Sequence, residues 1–291
     1  MRLALATCSD YPHLVEDDTP LLLEGLRRQG VAAEAVVWDD PTVDWSAFSA
    51  AIVRSTWDYS YRREEFLAWV DRVSTSTQLW NPPDVVRWNS HKRYLKELAD
   101  LGIPSIPTAW LDRGDAVDLP LLMEQQGWDE VVIKPTVNAG ARETLRVNRT
   151  QVATGQAHLD RLLPQREMAV QPFLPSILTE GELSLVFLAG EFSHAICKRP
   201  APRDYRIQKK FGGSKVVVTP TAAACRVAEQ TLAAIAHPLL YSRVDLVRDR
   251  HRWCVIELEA IEPSLYLLQV PNQLETAIAA LLGFMQRQSK I

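Results

Sequence analysis

Long apolar runs, cofactor signatures and an excess of basic charge are all missing from this 291-residue chain. No segment approaches the roughly 20 consecutive apolar residues that cross a bilayer. The apolar stretch of MRLALATCSDYPH breaks off within a few residues, too short for a signal-peptide core. Net charge is −4, so the chain lacks the concentrated basic face that nucleic acid or an anionic membrane demands. Cysteines are few, at 8, 197, 225 and 254, and share no CxxC or metal-finger spacing. They read as free, mostly buried thiols of a reducing compartment, and the cytoplasm is the expected location. There is no GxGxxG run, no Walker lysine and no Ser-His-Asp order, which removes support for Rossmann-cofactor, P-loop and triad-hydrolase chemistry. Internal repeats and low-complexity linkers are absent too, so any domains are closely integrated, in a chain long enough for one large core or two to three smaller ones.

What is present reads as α/β. RLALAT (2–7) is a short apolar run, followed by an acidic loop with Glu16, Asp17 and Asp18. PLLLEGLRRQG has a helical pattern with Pro20 near its start and Gly30 as a stop. VAAEAVVW (31–38) is strand-like and AAIVRSTWDY (50–59) is a third strand running into a polar turn, and this alternation predicts a parallel α/β unit. In such sheets ligands meet the carboxyl ends of strands, which singles out Arg54, Ser55 and Thr56. Further on, a helix is expected over about 90–101, capped by Asn89 or Ser90. DEVVIK (129–134) is a buried-type strand that ends on Lys134 and runs into the turn-rich PTVNAGARET. ELSLVFLAGEFSHAICKRP is a hairpin turning at AGE, and YSRVDLVRDRHRWCVIELEAIEP a second one turning at DRHR. QLETAIAALLGFMQRQ closes the chain as an amphipathic helix.

The second hairpin is where chemistry concentrates. Its apolar series is interrupted by Asp245, Glu257 and Glu259. Side chains two apart share a strand face, so Glu257 and Glu259 point the same way and the hairpin can bring Asp245 beside them. Carboxylates so converged repel one another unless a cation compensates, and hard oxygen donors suit Mg²⁺. The bland reading is a solvent-facing row of acids; a third acid among apolar neighbours favours the metal. Lys92 and Lys134 are isolated lysines, the second placed to reach a cleft from a buried strand end. His194 reads as a structural histidine, and Trp57 and Trp88 as packing residues.

The order of these segments resembles the ATP-grasp superfamily, in which two α+β lobes hold ATP between them behind an N-terminal α/β domain. NSHKRYLKELADLGIPSIPT is similar to its first-lysine helix and "G-I-P" strand, and VVIKPTVNAGARET to its second-lysine strand and small-residue phosphate loop. The resemblance implies domains at 1–88, 89–168 and 169–291, with ATP and Mg²⁺ as cofactors. It makes Lys92 and Lys134 the nucleotide lysines, with Gly140 at the phosphates. Gln171, Pro172, Phe173 and Leu174 fall on the adenine-binding hinge, and Glu180 or Glu182 on the ribose. Lys198 and Arg199 are offered to phosphates or a substrate carboxylate, and FGGSK (211–215) stands where a mobile loop closes over ATP. YSRVDLV is close to the "A-R-V-D-F" of D-alanine–D-alanine ligases, which gives Arg243 an oxyanion role and Asp245 the first metal role. Glu257-Leu258-Glu259 departs from the usual Glu-x-Asn and adds a negative charge.

RSTWDY, GELSLVFLAGEFSHAICKRP and IELEAIEPSLYL look most like the subgroup that includes the D-cycloserine-forming ligases, with glutathione-synthetase-like proteins next. The implied reaction activates a carboxylate as an acyl phosphate, which a nitrogen then attacks. For the D-cycloserine-forming ligases the substrate is O-ureido-D-serine, closed to a ring with loss of ammonia and carbon dioxide. Ser55, Thr56, Glu262 and Ser264 then hold amine or ureido groups. Arg54 holds a carboxylate or, equally, pairs with an acid of the 16–18 loop. A ligase joining two substrates and a non-catalytic ATP-binding protein are the alternatives. The expected partner is a small amino-acid-like carboxylate, with no nucleic acid or membrane. The resemblance leaves room for a homo-oligomer, since relatives are often dimers or tetramers.

Overall fold

A computed structural model of the chain describes residues 1–14, 18–201 and 212–288. Glu16 and Asp17 of the acidic loop, DYRIQKKF (204–211) and with it the first residue of FGGSK lie outside the described residues.

The first unit is built from β1 (Arg2–Thr7), α1 (Thr19–Arg28), β2 (Ala32–Val37), β3 (Ala50–Ser55), α2 (Arg63–Ser74) and β4 (Gln78–Trp80). Its strands run parallel in the order β2-β1-β3-β4, as the alternating strand–helix pattern predicts. β1 and β3 are buried along nearly their whole length, the mark of a parallel sheet covered on both faces. Next come α3 (Pro83–Asn89) and α4 (Tyr94–Asp100), then β5 (Ala109–Leu111), α5 (Leu119–Gln126), β6 (Glu130–Pro135), β7 (Leu145–Asn148), α6 (Val152–Leu162) and β8 (Met168–Pro172). β5, β8, β6 and β7 form an antiparallel sheet in that order, on which α5 and α6 pack through Leu119, Met123, Leu159 and Leu162. The third unit has α7 (Ser176–Thr179), β9 (Glu182–Leu188), β10 (Glu191–Arg199), β11 (Ser214–Val218), α8 (Ala222–Ala233), β12 (Tyr241–Asp249), β13 (Arg252–Glu259) and α9 (Leu274–Gln288). Its antiparallel sheet runs β11-β10-β9-β12-β13. Both expected hairpins are present. The first turns where Ala189 and Gly190 take φ of 54° and 85°, the left-handed pair that a two-residue hairpin turn needs. No described helix is long and apolar enough to cross a membrane.

The helix expected over 90–101 is interrupted. The backbone N–H of Lys92 donates to Thr136 O at 2.8 Å, so the chain turns between α3 and α4 to reach β6 instead of winding on. Asn89 does not cap a helix either. Its side chain donates to Leu258 O at 2.8 Å and accepts from Ala260 N at 2.8 Å. A buried strand end offers an amide side chain both a donor and an acceptor, and that outweighs a single capping bond.

The first and third units share one core, in which Leu3, Leu5 and Ile52 meet Val186, Ile196, Tyr241 and Ile278. α1 lies so close to α9 that a Cβ on Gly25 would come within 1.9 Å of Ile278 Cδ1. Polar ties fix the seam. Tyr241 Oη faces the carbonyls of Val53, Trp80 and Ile261. Asn81 donates to Tyr241 O and Ala260 O and accepts from Leu240 N. The carboxyl ends of β3 and β4 are thereby held against the ends of β12 and β13, which is where the polar site forms.

Candidate active site

The site is one face of the third sheet. Strand register sets Glu257 opposite Asp245 and Glu259 opposite Arg243, Ser184 opposite Asp245, and Lys198 opposite Glu182. Alternation sends the intervening Leu183, Leu185, Val244, Leu246 and Leu258 to the other face, where they pack in a core with Ala224 and Ala228 of α8. A hydrophobic face on α8 thus orients a charged face towards the second unit.

Every acid on that face is met by a base. Lys198 Nζ lies 2.5 Å from Glu182 and 3.3 Å from Asp245. Arg243 forks onto Asp245, with Nε–Oδ1 and Nη2–Oδ2 both at 2.9 Å, and also pairs with Glu259. Ser184 Oγ donates to Asp245 at 2.5 Å. From the turn before α4, Lys92 Nζ reaches Glu257 at 2.5 Å and Asn138 O at 3.2 Å. Oxygens of Asp245, Glu257 and Glu259 all lie within 4.8 Å of one another. Asp245 is sealed, while the side chains of Glu257 and Glu259 remain about a third exposed. This set of hard oxygen donors, open on one side, fits a magnesium ion that shares its shell with phosphate oxygens.

The electrostatics follow from that geometry. Burial works against the Asp245 carboxylate, but Arg243 and Lys198 outweigh it and hold the group well below the usual range. Burial likewise opposes Glu257, which Lys92 and Lys134 keep below its ordinary value. Glu259 is pushed up by burial, with Glu257 and Asp245 adding to the effect against Arg243. Glu182 is raised to about 7 by burial, in spite of Lys198. Burial and the neighbouring charge of Lys92 bring Lys134 down to about 8.

The other residues singled out from sequence divide between the site and its supports. Lys134, next to last in β6, lies near Glu257 and Glu182. Gly140 lies in the loop after it with φ of 63°. Gln171 is buried at the end of β8 and donates to Thr108 at 2.8 Å. Pro172 is half-buried, Phe173 packs under Arg146, and Leu174 packs against the Ile106–Val247–Cys254 cluster. Glu182 points into the charged face, whereas Glu180 is half-exposed and pairs with Arg248 at 3.4 Å. Arg199, next to Lys198 in β10, is exposed. Strand alternation turns it away from Lys198, so the two do not act from the same side.

At the carboxyl end of β3, Arg54 is 2% exposed, donates to Pro263 O at 2.8 Å and lies 3.7 Å from Asp18. The ion pair with the acidic loop is therefore present, and Arg54 stands behind the cleft wall. Ser55 and Thr56 are buried beside it. Glu262 is 9% exposed, and its carboxyl is pushed well up by burial and by Glu259, against Arg54. Ser264 O accepts from Arg243 Nη1 at 3.2 Å. His194 is a structural histidine, bonded to Leu265 O at 2.9 Å.

Sequence reasoning passed over Ser184, Asn138, Tyr59 and Tyr266. Tyr59 is buried near Glu262, Glu259 and Glu257. The Tyr266 ring lies 5.3 Å from the Arg243 guanidinium. Ser184 had a signal, two residues beyond Glu182 on one strand; Tyr59 had only its place at the end of RSTWDY, and the fold brings it to the acids.

Known proteins share this fold. The family model for the N-terminal domain of D-cycloserine synthetase DcsG matches residues 3–81. The chain is 36% identical over 279 residues to the cycloserine biosynthesis protein DcsG of Streptomyces lavendulae, covering 90% of this chain and 92% of that protein. Its structure is similar to the crystal structure of D-cycloserine synthetase DcsG, with a TM-score of 0.86 at 34% identity over 97% of this chain and 98% of that one. It is similar in fold to the D-alanine–D-alanine ligase of Bacillus anthracis complexed with ATP, with a TM-score of 0.70 at 14% identity over 99% of this chain and 96% of that one.

Proposed function

The chain belongs to the D-cycloserine synthetase family and has the ATP-grasp fold, and from that premise we propose that it closes O-ureido-D-serine to D-cycloserine at the expense of ATP. The observation that supports this most is the single sheet face on which Asp245, Glu257 and Glu259 converge beside Lys92, Lys198 and Arg243.

Asp245, Glu257 and Glu259 would hold Mg²⁺, which when bound offsets charge on the transferring phosphoryl group. Lys92 and Lys134 draw the phosphates in, and the loop from 136 to 144 covers them. The end of β8, from Gln171 to Leu174, borders the adenine. Glu182 takes the ribose in preference to Glu180, because it alone of the two is buried on the cleft face. On this reading residues 1–88 supply part of the substrate site, and Lys198, Arg243 and Glu262 supply the rest. β8 pairs with β5 and β6, so the nucleotide seam falls just beyond Pro172.

In the reaction, an oxygen of the substrate carboxylate bonds to the γ-phosphorus and ADP leaves. The ureido nitrogen bonded to oxygen then attacks the acyl carbon, and phosphate leaves with the oxygen that bridged it. Water releases the carbamoyl group as carbon dioxide and ammonia. Arg243 lies where it can steady the oxyanion of the ring-closing step, with Asp245 fixing its orientation through two hydrogen bonds. Glu262 forms the wall facing the substrate amine, with Arg54 behind it as a support. Lys198, held by two acids, is the cation on the carboxylate side.

A cyclising ligase needs one organic substrate. ADP release should therefore appear with Mg²⁺-ATP and O-ureido-D-serine alone, with D-cycloserine detected by mass spectrometry. ADP release that required a second amine would assign the protein to two-substrate ligation, and none with any carboxylate would leave only nucleotide binding.

A further inference from the structure

One loop contact outside the assigned site joins two of its parts. Between β6 and β7 the chain crosses the predicted phosphate loop with Gly140, Ala141 and Glu143 at φ of 63°, 58° and 52°. Two of these are not glycine, and side chains rarely adopt that left-handed conformation unless their surroundings hold them there. Within its own unit the loop is held by Asn138 Nδ2 donating to Arg142 O at 2.6 Å, and by Glu143 paired with Arg166 at 2.6 Å. Arg142, between the strained residues, reaches out of that unit. Its Nη2 donates to Ser60 O at 3.1 Å and its guanidinium lies 3.6 Å from the centre of the Tyr61 ring.

Ser60 and Tyr61 end the short helical turn Trp57–Ser60 that follows Thr56. That turn also carries Tyr59, buried near the Glu262 carboxyl. On the proposed function, which gives Glu262 to the substrate, the turn therefore borders the substrate side as well as forming the platform on which Arg142 of the phosphate loop rests. A planar guanidinium that both stacks and donates fixes distance and orientation together, which a lysine does not.

We infer that Arg142 is a positioning residue that links substrate at the 56–61 turn to the phosphate loop, so that the loop is set over ATP only when the substrate wall is ordered. The inference rests on the ligase reading for what each end holds. Substrate bound against the turn steadies the platform, the platform holds Arg142, and Arg142 sets the loop. Premature hydrolysis of ATP is thereby suppressed.

The test compares wild type with R142A, R142K and Y61A, measuring ADP and D-cycloserine with and without O-ureido-D-serine, and hydrogen exchange over 57–61 and 138–144. Tyr61 is 67% exposed, so Y61A probes the link without disturbing the core. R142A should lower kcat/KM for the organic substrate on the order of 10²-fold, the usual effect of a small misplacement. Because an acyl phosphate under an unset loop is open to water, it should also release more ADP per product, and it should lose the substrate-induced protection of 138–144 expected in wild type. Y61A should shift each in the same direction, and R142K should recover only part. A merely structural arginine would leave product per ADP unchanged. Wild-type values for that ratio and for exchange in R142A would overturn the inference. If wild type released no ADP with the carboxylate, the ligase reading would fall. Exchange with ATP alone would then decide the link: faster exchange of both segments in R142A supports it, and equal exchange overturns it.

Discussion

Glu257→Gln is expected to lose turnover by on the order of 10³-fold with Mg²⁺-ATP while keeping a folded protein, as followed by steady-state ADP release and circular dichroism. The substitution preserves size and one carbonyl oxygen but removes the charge. In the proposed site that charge serves two ends. It is one of the three carboxylates whose oxygens lie within 4.8 Å of one another, and it holds Lys92 at 2.5 Å. Losing a metal's charge stabilisation of phosphoryl transfer costs several kcal/mol, and each 1.36 kcal/mol is tenfold in rate. The fold should persist because Glu257 lies on the cleft face, opposite the apolar side that packs on α8. Near-normal turnover would remove Glu257 from the metal set and leave the acids as a charge-balanced surface.

Lys134→Met should weaken ATP binding by about 10–100-fold, since a hydrogen bond to a charged group is worth about 1.5–3 kcal/mol. Its pH dependence makes this sharper than a loss of affinity alone. Burial, with the charge of Lys92 beside it, lowers the Lys134 ammonium to about 8. Below that pH the nucleotide-free protein already carries the proton, and a triphosphate favours the protonated form. The part of the affinity that comes from Lys134 should therefore be level below about pH 8 and fall above it, by about tenfold per pH unit while the bound lysine keeps its proton. Titration calorimetry between pH 7 and about 9.5 reads both effects, and Lys134→Met should lose the slope along with the affinity. An unchanged dissociation constant, or an unchanged slope in the variant, would contradict the role of Lys134.

These two residues show what the sequence made legible. Glu257 and Glu259 share a face because they are two apart on one strand, and the DRHR turn brings Asp245 across from them, as strand pairing requires. Lys134 was readable as a polar end to an apolar strand. Alternation also carried information about Arg199, because an inward Lys198 turns its neighbour outward. The misplaced helix start at 90 had a different origin. Local propensity favours a cap at Asn89, but a strand end more than 160 residues away competes for the same side chain, with Leu258 as its acceptor. Arg142 had no local signal at all, since its partner Ser60 lies 82 residues earlier. Glu180 and Glu182 were equivalent on the page of sequence; only the start of β9 at Glu182 separates the buried acid from the half-exposed one. Ordered motifs thus conveyed the fold and the charged face, while the supports behind that face came from contacts between units.

The central claim is that the substrate carboxylate is activated by phosphorylation on the acid-rich sheet face. O-ureido-D-serine labelled with ¹⁸O in its carboxylate tests it most directly, with the released phosphate examined by mass spectrometry. If the carboxylate takes the γ-phosphoryl group and is then displaced, each phosphate carries one labelled oxygen from the substrate. Phosphate that contains no label while D-cycloserine accumulates would contradict the account.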